Sequence, residues 1–376
     1  VEYPIVLMKA RTILPNGNKI QLKPEAFKEL KEENGSRSKL FALEGVEKGS
    51  IIEYVIHMRY PISFFGSNLM QDIIPTCSSE FEIVTPESLI FAAKGYQHVI
   101  VEKDTAHKEK RSVYAYTKNL PALQEEPFAS FLPHFARVDY SLTHNLEGKG
   151  KNIALLTWDD AANNLYRGFS TFSEKEIKSV RKVLSENKEY ATLQNEQAKI
   201  AFIEQYIKTN FIQQEYVDHQ HAEEIEFILK NKVTTETGIK QLFSLFFIAE
   251  NIPFEIGYTN DRMLQPFDYS FPNWDNLKNC LFYFTNSKQY LAPNEFLYRI
   301  PFYPATWCKQ EAMFCKVNED NDKKNAHAEK RLLDEFSASE NYHNHDVKVH
   351  FDEQMDTAYV QITNAFQGYN AIELLP

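Results

Sequence analysis

The hydrophobic period of this chain changes twice along its length, which rules out a fold made of one kind of layer. Up to about residue 150 the apolar residues fall in short β-rich runs: Ile51 to Met58, Phe81 to Thr85, His98 to Glu102 and Ser112 to Thr117. Turn residues such as Pro15-Asn16-Gly17-Asn18 and Glu47-Lys48-Gly49-Ser50 separate them. Several short strands at this spacing predict an antiparallel sandwich.

From Ser173 the period becomes 3.6. Ser173 and Glu176 form a capping box, and Ile177, Val180, Val183 and Leu184 share one helix face. A second helix carries Ile200, Ile203 and Ile207. A third carries Ile239, Leu242, Phe243, Phe246 and Phe247 at i, i+3, i+4, i+7, i+8, so it must bury a wide stripe and is expected at the centre of its domain. Strand-like Phe254 to Tyr258 and Cys280 to Phe284 follow. The turn Thr285-Asn286-Ser287-Lys288 then leads to Gln289-Tyr290-Leu291, which predicts a hairpin. The charged, Asn-rich stretch Val317 to Arg331 reads as a loop or linker, and Asp346 to Thr363 alternates again. Helices followed by strands predict an α+β, multidomain chain with zones at 1–150, 151–315 and 316–376. With 376 residues the chain also exceeds the ~250–300 at which a single core stops growing.

Composition closes off several classes of function. Charged residues at 25% and hydrophobic ones at 43% exclude a disordered chain or a collagen-like repeat. The longest nearly apolar stretch, Leu242 to Ala249, is under half of the ~20 residues of a membrane span. Forty-one basic against 52 acidic residues, net −11, with no basic patch interleaved with aromatics, argue against nucleic acid as a partner. The opening VEYPIVLMKARTILPNG reads as a strand entering a turn, which predicts that the natural start has been removed.

The four cysteines, Cys77, Cys280, Cys308 and Cys315, contain no CxxC pair, so neither a disulfide framework nor a zinc finger is indicated; a bridge between Cys308 and Cys315 stays open. His219 and His221, followed by Glu223 and Glu224, read as a solvated helix face, because residues two apart on a helix point different ways. His343, His345 and Asp346, with His350 beyond, lie in a strand-like region where i and i+2 share a face; metal binding is again the lesser reading. No cofactor or metal is called for. The sequon Asn34-Gly35-Ser36 reads as a turn in a polar loop.

The pieces ILPNG (Ile13 to Gly17), GSIIEY (Gly49 to Tyr54), Ile73 to Pro75 and NLPALQEE (Asn119 to Glu126) come in an order and spacing that resembles DUF3857. This is the β-sandwich domain of unknown function that precedes transglutaminase-like domains in Bacteroidetes proteins. The resemblance implies a sandwich, then a papain-related α+β domain, then the start of another sandwich, in a protein outside the cytoplasm. It also implies a Cys at the start of the central helix, a His opening a strand and an Asp in a following turn. Such a trio works because a helix N-terminus favours the thiolate, the His holds the proton and the Asp orients the imidazole.

Laid on that pattern, the three functional positions hold Glu236, Asn279 and Ala292. The resemblance thus implies a scaffold that has lost its nucleophile, base and orienting acid, a loss worth about a million-fold in rate. Glu236 is expected to cap the helix. Cys280, next to Asn279 and therefore on the other strand face, is expected to be a small buried hydrophobe. Trp274 and Tyr258 are candidate groove-lining aromatics for an unknown peptide, protein or glycan. The reading is a non-catalytic binding or structural module. The alternatives are an active transglutaminase-like cysteine protease or transamidase using a displaced Cys280 or Cys308, and a middle domain that only spaces two sandwiches.

Overall fold

A computed structural model describes residues 4–26, 28–31, 37–102, 105–147, 153–218, 220–318, 325–372 and 374; Asn34-Gly35-Ser36 and His219 lie outside them. The chain forms two compact units, Val1–Ser63 and Phe64–Pro376. The first holds β1 (Ile5–Ile13), β2 (Lys19–Gln21), β3 (Lys28–Lys31), β4 (Arg37–Leu40) and β5 (Ile51–Met58). They make one antiparallel sheet in the order β2-β1-β5 and a separate β3-β4 pair. The turn between β1 and β2 is the one expected: Gly17 takes a left-handed backbone (φ 87°) and its N–H donates to Leu14 O at 2.8 Å.

The second unit opens with a sandwich built from β6 (Phe65–Leu69), β7 (Thr76–Pro86), β8 (Leu89–Tyr96), β9 (Ile100–Val101), β10 (Thr105–His107), β11 (Lys110–Leu120) and β12 (Arg137–Asn145). One sheet runs β10-β11-β7 with β9 also on β11; the other runs β6-β12-β8. Met70, Ala115, Leu120, Ala136 and Val138 fill the space between them. This small two-sheet body ends at Asn145, and compactness divides the chain after Ser63 rather than near residue 150.

The α+β part follows: α1 (Trp158–Ser170), α2 (Glu174–Ser185), α3 (Glu196–Asn210), β13 (Ile212–Gln213), α4 (Ile225–Asn231), β14 (Val233–Thr234), α5 (Glu236–Ala249), β15 (Glu255–Thr259), β16 (Asn279–Phe284), β17 (Gln289–Leu291), β18 (Glu311–Asn318) and β19 (Asn325–Leu332). The Ser173–Glu176 capping box starts α2 as expected, and a second such box, Thr157–Asp160, starts α1. The stripe on α5 is completely buried. It packs between the other helices and one face of a five-stranded antiparallel sheet, β17-β16-β15-β18-β19. Phe247 alone meets the rings of Phe243, Phe254, Phe282 and Phe284. The opposite face buries Leu281, Tyr290, Tyr303, Trp307 and Phe314.

Two expectations change here. Val317 to Arg331 is not a linker, since β18 and β19 pair from Glu311↔Leu332 to Asn318↔Asn325 and the sheet passes the expected limit at 315. Its inward Ala326 and Ala328 are small and its outward residues charged, the habit of a sheet edge. What lies beyond is a two-stranded ribbon, β20 (Tyr342–Phe351) with β21 (Ala358–Gln367), exposed along almost its whole length, and a short α6 (Tyr369–Ile372). The base of the ribbon is fixed where Asn341 Oδ1 accepts from Tyr369 N at 2.7 Å and Tyr369 OH donates to Tyr303 O at 2.7 Å. No helix is long and apolar enough to cross a membrane among the described residues.

Candidate functional site

At the start of α5 the Thr235 hydroxyl accepts from Gly238 N at 3.3 Å, so Thr235 and not Glu236 is the cap. Glu236 is the first helical residue, half exposed at 52% of its side chain, and accepts from Lys240 Nζ at 2.8 Å. Gly238 has to be glycine, because a Cβ there would run into Thr234 Oγ1. Above this turn sit Tyr258 and Cys280, each 3% exposed and paired across β15 and β16. Lys240 Nζ lies 5.6 Å from the Tyr258 ring centre, and Tyr258 is hydrogen-bonded to Cys280.

Burial pushes the Cys280 thiol up to about 12; Lys240 and Tyr258 pull it back only in part, and Glu236 adds to the rise. Burial also raises Cys315 on the same sheet face. Both sulfurs are therefore neutral thiols near pH 7, and the thiolate is the nucleophilic form. All four cysteines are free. Cys308 and Cys315 fall in cores on opposite faces of the sheet, so the bridge left open by the sequence is not formed. No hydrogen bond joins a histidine to a cysteine among the described residues.

The three positions matched to a triad do not converge. Asn279 shares its strand face with Leu281 and Tyr283, whereas Cys280, Phe282 and Phe284 pack toward α5. With its amide oriented to satisfy both donors, Asn279 Oδ1 accepts from Trp307 Nε1 at 3.1 Å and from Asp261 N at 3.3 Å. Ala292 is wholly buried in the core on the face away from α5. Of the two aromatics expected at a groove, Tyr258 lies under the helix, and Trp274 donates to Thr157 O at 3.2 Å and tilts against Phe65. His221 precedes α4 in a turn rather than on a helix, and its Nδ1 meets Glu224 Oε1 at 2.5 Å. His343 and His345 do share a face of the ribbon, ring centres 3.9 Å apart, and no group of three metal-ligating side chains occurs among the described residues.

An open cavity of about 820 Å³ lies instead between the sandwich and the α+β part. The sandwich contributes Ser67, Leu69, Leu132 and Arg137; the other wall includes Asp261, Lys278, Asn279, Glu295, Tyr298 and Trp307. Arg137 is charged yet only 7% exposed: Nε donates to Asp139 Oδ1 at 3.3 Å and the guanidinium lies 3.8 Å from the centre of the Tyr96 ring. Burial raises the Asp139 carboxyl against the opposing pull of Arg137. Across the cavity, Asp261 accepts from Thr306 Oγ1 at 2.7 Å and Met263 N at 2.8 Å. Burial also raises Glu295; Lys208 pulls it down, while Glu236 and Asp261 add to the rise. Lys278 is neutralised by Asp275 at 2.6 Å.

The wall carrying Glu295 and Tyr298 is stapled to α3. Glu204 Oε2 accepts from Ile300 N at 2.8 Å, and Lys208 Nζ donates to Glu204 Oε1 and Tyr298 O, each at 2.7 Å. Asn294 adds a bond to Glu236 O at 3.0 Å. The two walls are tied by polar bonds: Asn273 Nδ2 donates to Gly66 O at 3.1 Å, Tyr96 OH to Asp268 Oδ2 at 2.7 Å, and Lys94 pairs with Asp268. Burial alone would push the Asp268 carboxyl up, but hydrogen bonds from Lys94, Ser270 and Tyr96 outweigh it and bring it to about 2.

Nothing in the sequence singles out Arg137, Asp261 and Glu295. Their charges read as ordinary surface, and only the meeting of two subdomains makes them a lining.

Residues 4–124 match DUF3857, a domain of unknown function for which a structure has been solved. No curated protein matches. Among solved structures, a protein of Parabacteroides distasonis described as a putative protease is similar in fold, with a TM-score of 0.55 and 18% identity over 77% of this chain and 57% of that one. The chain thus spans less than two thirds of that neighbour, and the likeness is one of fold.

Proposed function

We propose that this is a transglutaminase-like protein without thiol chemistry, which binds a peptide or glycan in the cavity between its sandwich and its α+β part. The observation that carries this reading is the state of Cys280, the sulfur nearest the start of the central helix. It is buried, neutral, bonded to a tyrosine rather than an imidazole, and sealed from the cavity by the sheet itself. The cavity has a mixed lining in which apolar side chains surround a few charged ones, lies between subdomains and has the size of a small-ligand site. A place outside the cytoplasm belongs to the same reading and rests on the family resemblance alone.

The test is incubation with acyl donors and amine acceptors together with a thiol-directed probe. No turnover is expected, and the exposed Cys77 should label while Cys280, Cys308 and Cys315 stay protected. Turnover that disappears in Cys280→Ala, Cys308→Ala or Glu236→Ala would overturn the proposal.

A further inference from the structure

We infer that the cavity takes a zwitterionic ligand, a free amino acid or short peptide, with its carboxylate on Arg137 and its ammonium between Asp261 and Glu295. This rests on the reading of the cavity as a binding site.

The Arg137 side chain is more than nine-tenths buried and borders the cavity, yet only its Nε has a hydrogen-bond partner among the described residues. The remaining donors of this guanidinium border the cavity, and its planar fork suits an oxyanion such as a carboxylate. The Tyr96 face fixes the plane of that fork. On the facing wall the Glu295 carboxylate accepts no hydrogen bond among the described residues, and the Asp261 carboxylate accepts only from Thr306 Oγ1 and Met263 N. The cation nearest Glu295, Lys208, is committed to Glu204 and to Tyr298 O. A ligand ammonium would supply the counter-charge that this wall lacks. A neutral glycan would leave both walls unanswered, which favours the peptide.

The test is calorimetric titration with trialanine bearing free termini, compared with its N-acetylated, C-amidated and doubly capped forms and with a neutral oligosaccharide. Free trialanine is expected to bind, and each cap to weaken it about tenfold, as loss of one charged contact does. Glu295→Gln should weaken trialanine and the C-amidated form about tenfold and leave the N-acetylated form unchanged; Arg137→Lys should do the converse. Should the Arg137 variant not fold, the Glu295 variant decides alone. Affinity for the ammonium should fall as pH drops through the Glu295 titration, whose charged neighbours are Lys208 on α3, Glu236 at the start of α5 and Asp261 after β15. If the doubly capped peptide or the oligosaccharide binds as well as free trialanine, this inference fails and the binding reading stands. If none of them binds, both fall.

Discussion

Cys280 and Asn279 are neighbours on β16, yet one is sealed beneath α5 and the other borders an open cavity. The two faces of one sheet thus hold the two candidate sites. The helix side is dry, aromatic and closed; the far side meets the sandwich and keeps charged groups around an open space. A strand alternates its side chains, so a one-residue shift in alignment moves a position from one environment to the other. In this fold a family's functional positions are therefore tested by which face they occupy as much as by which residue type they hold.

That contrast can be attacked from either side. The largest effect is expected on the closed side: Phe247→Ala should lower unfolding free energy by about 4 kcal/mol in denaturant titration, because its ring is enclosed by four others. A loss under about 1 kcal/mol would mean that this layer is loosely packed. On the open side, Glu204→Gln strands the buried Lys208 and should cost about 3 kcal/mol, with altered tyrosine fluorescence from the cavity wall. An unchanged midpoint would show that the staple contributes nothing. On the sheet face away from α5, Gly257→Ala would drive a methyl group into the Phe314 ring, an overpacking worth about 2 kcal/mol that thermal melting should reveal. Thr235→Ala, which removes the cap of α5, should cost about 1 kcal/mol.

The join between the walls should respond to acid. Asp268 has a folded-state pKa below its usual 3.8, so its contribution is full above that value and is lost as pH falls toward about 2. Acid titration of Asp268→Asn should be flatter than wild type in that window; identical profiles would remove Asp268 from the account.

The sequence showed the buried helix and hid the cavity, for a physical reason. Ile239, Leu242, Phe243, Phe246 and Phe247 repeat at helical spacing, and the Ser173–Glu176 box announces its own helix, so both are local signals. The Thr157–Asp160 box that starts α1 is an equally local signal. β19 reads as a linker in the sequence because an edge strand carries charges outward and only alanines inward. Arg137 stands more than a hundred residues before Asp261 and Glu295, and no local pattern can show that the fold brings them to one space.

The staple between α3 and the stretch from Tyr298 to Ile300 gives that space a fixed shape before anything enters it. A guest meeting such a mould surrenders only its own freedom, since the receptor has none left to give up at this wall. Recognition there should therefore separate a free amino acid from a short peptide, because the charged groups at the two ends of a guest must match a spacing the protein has already set.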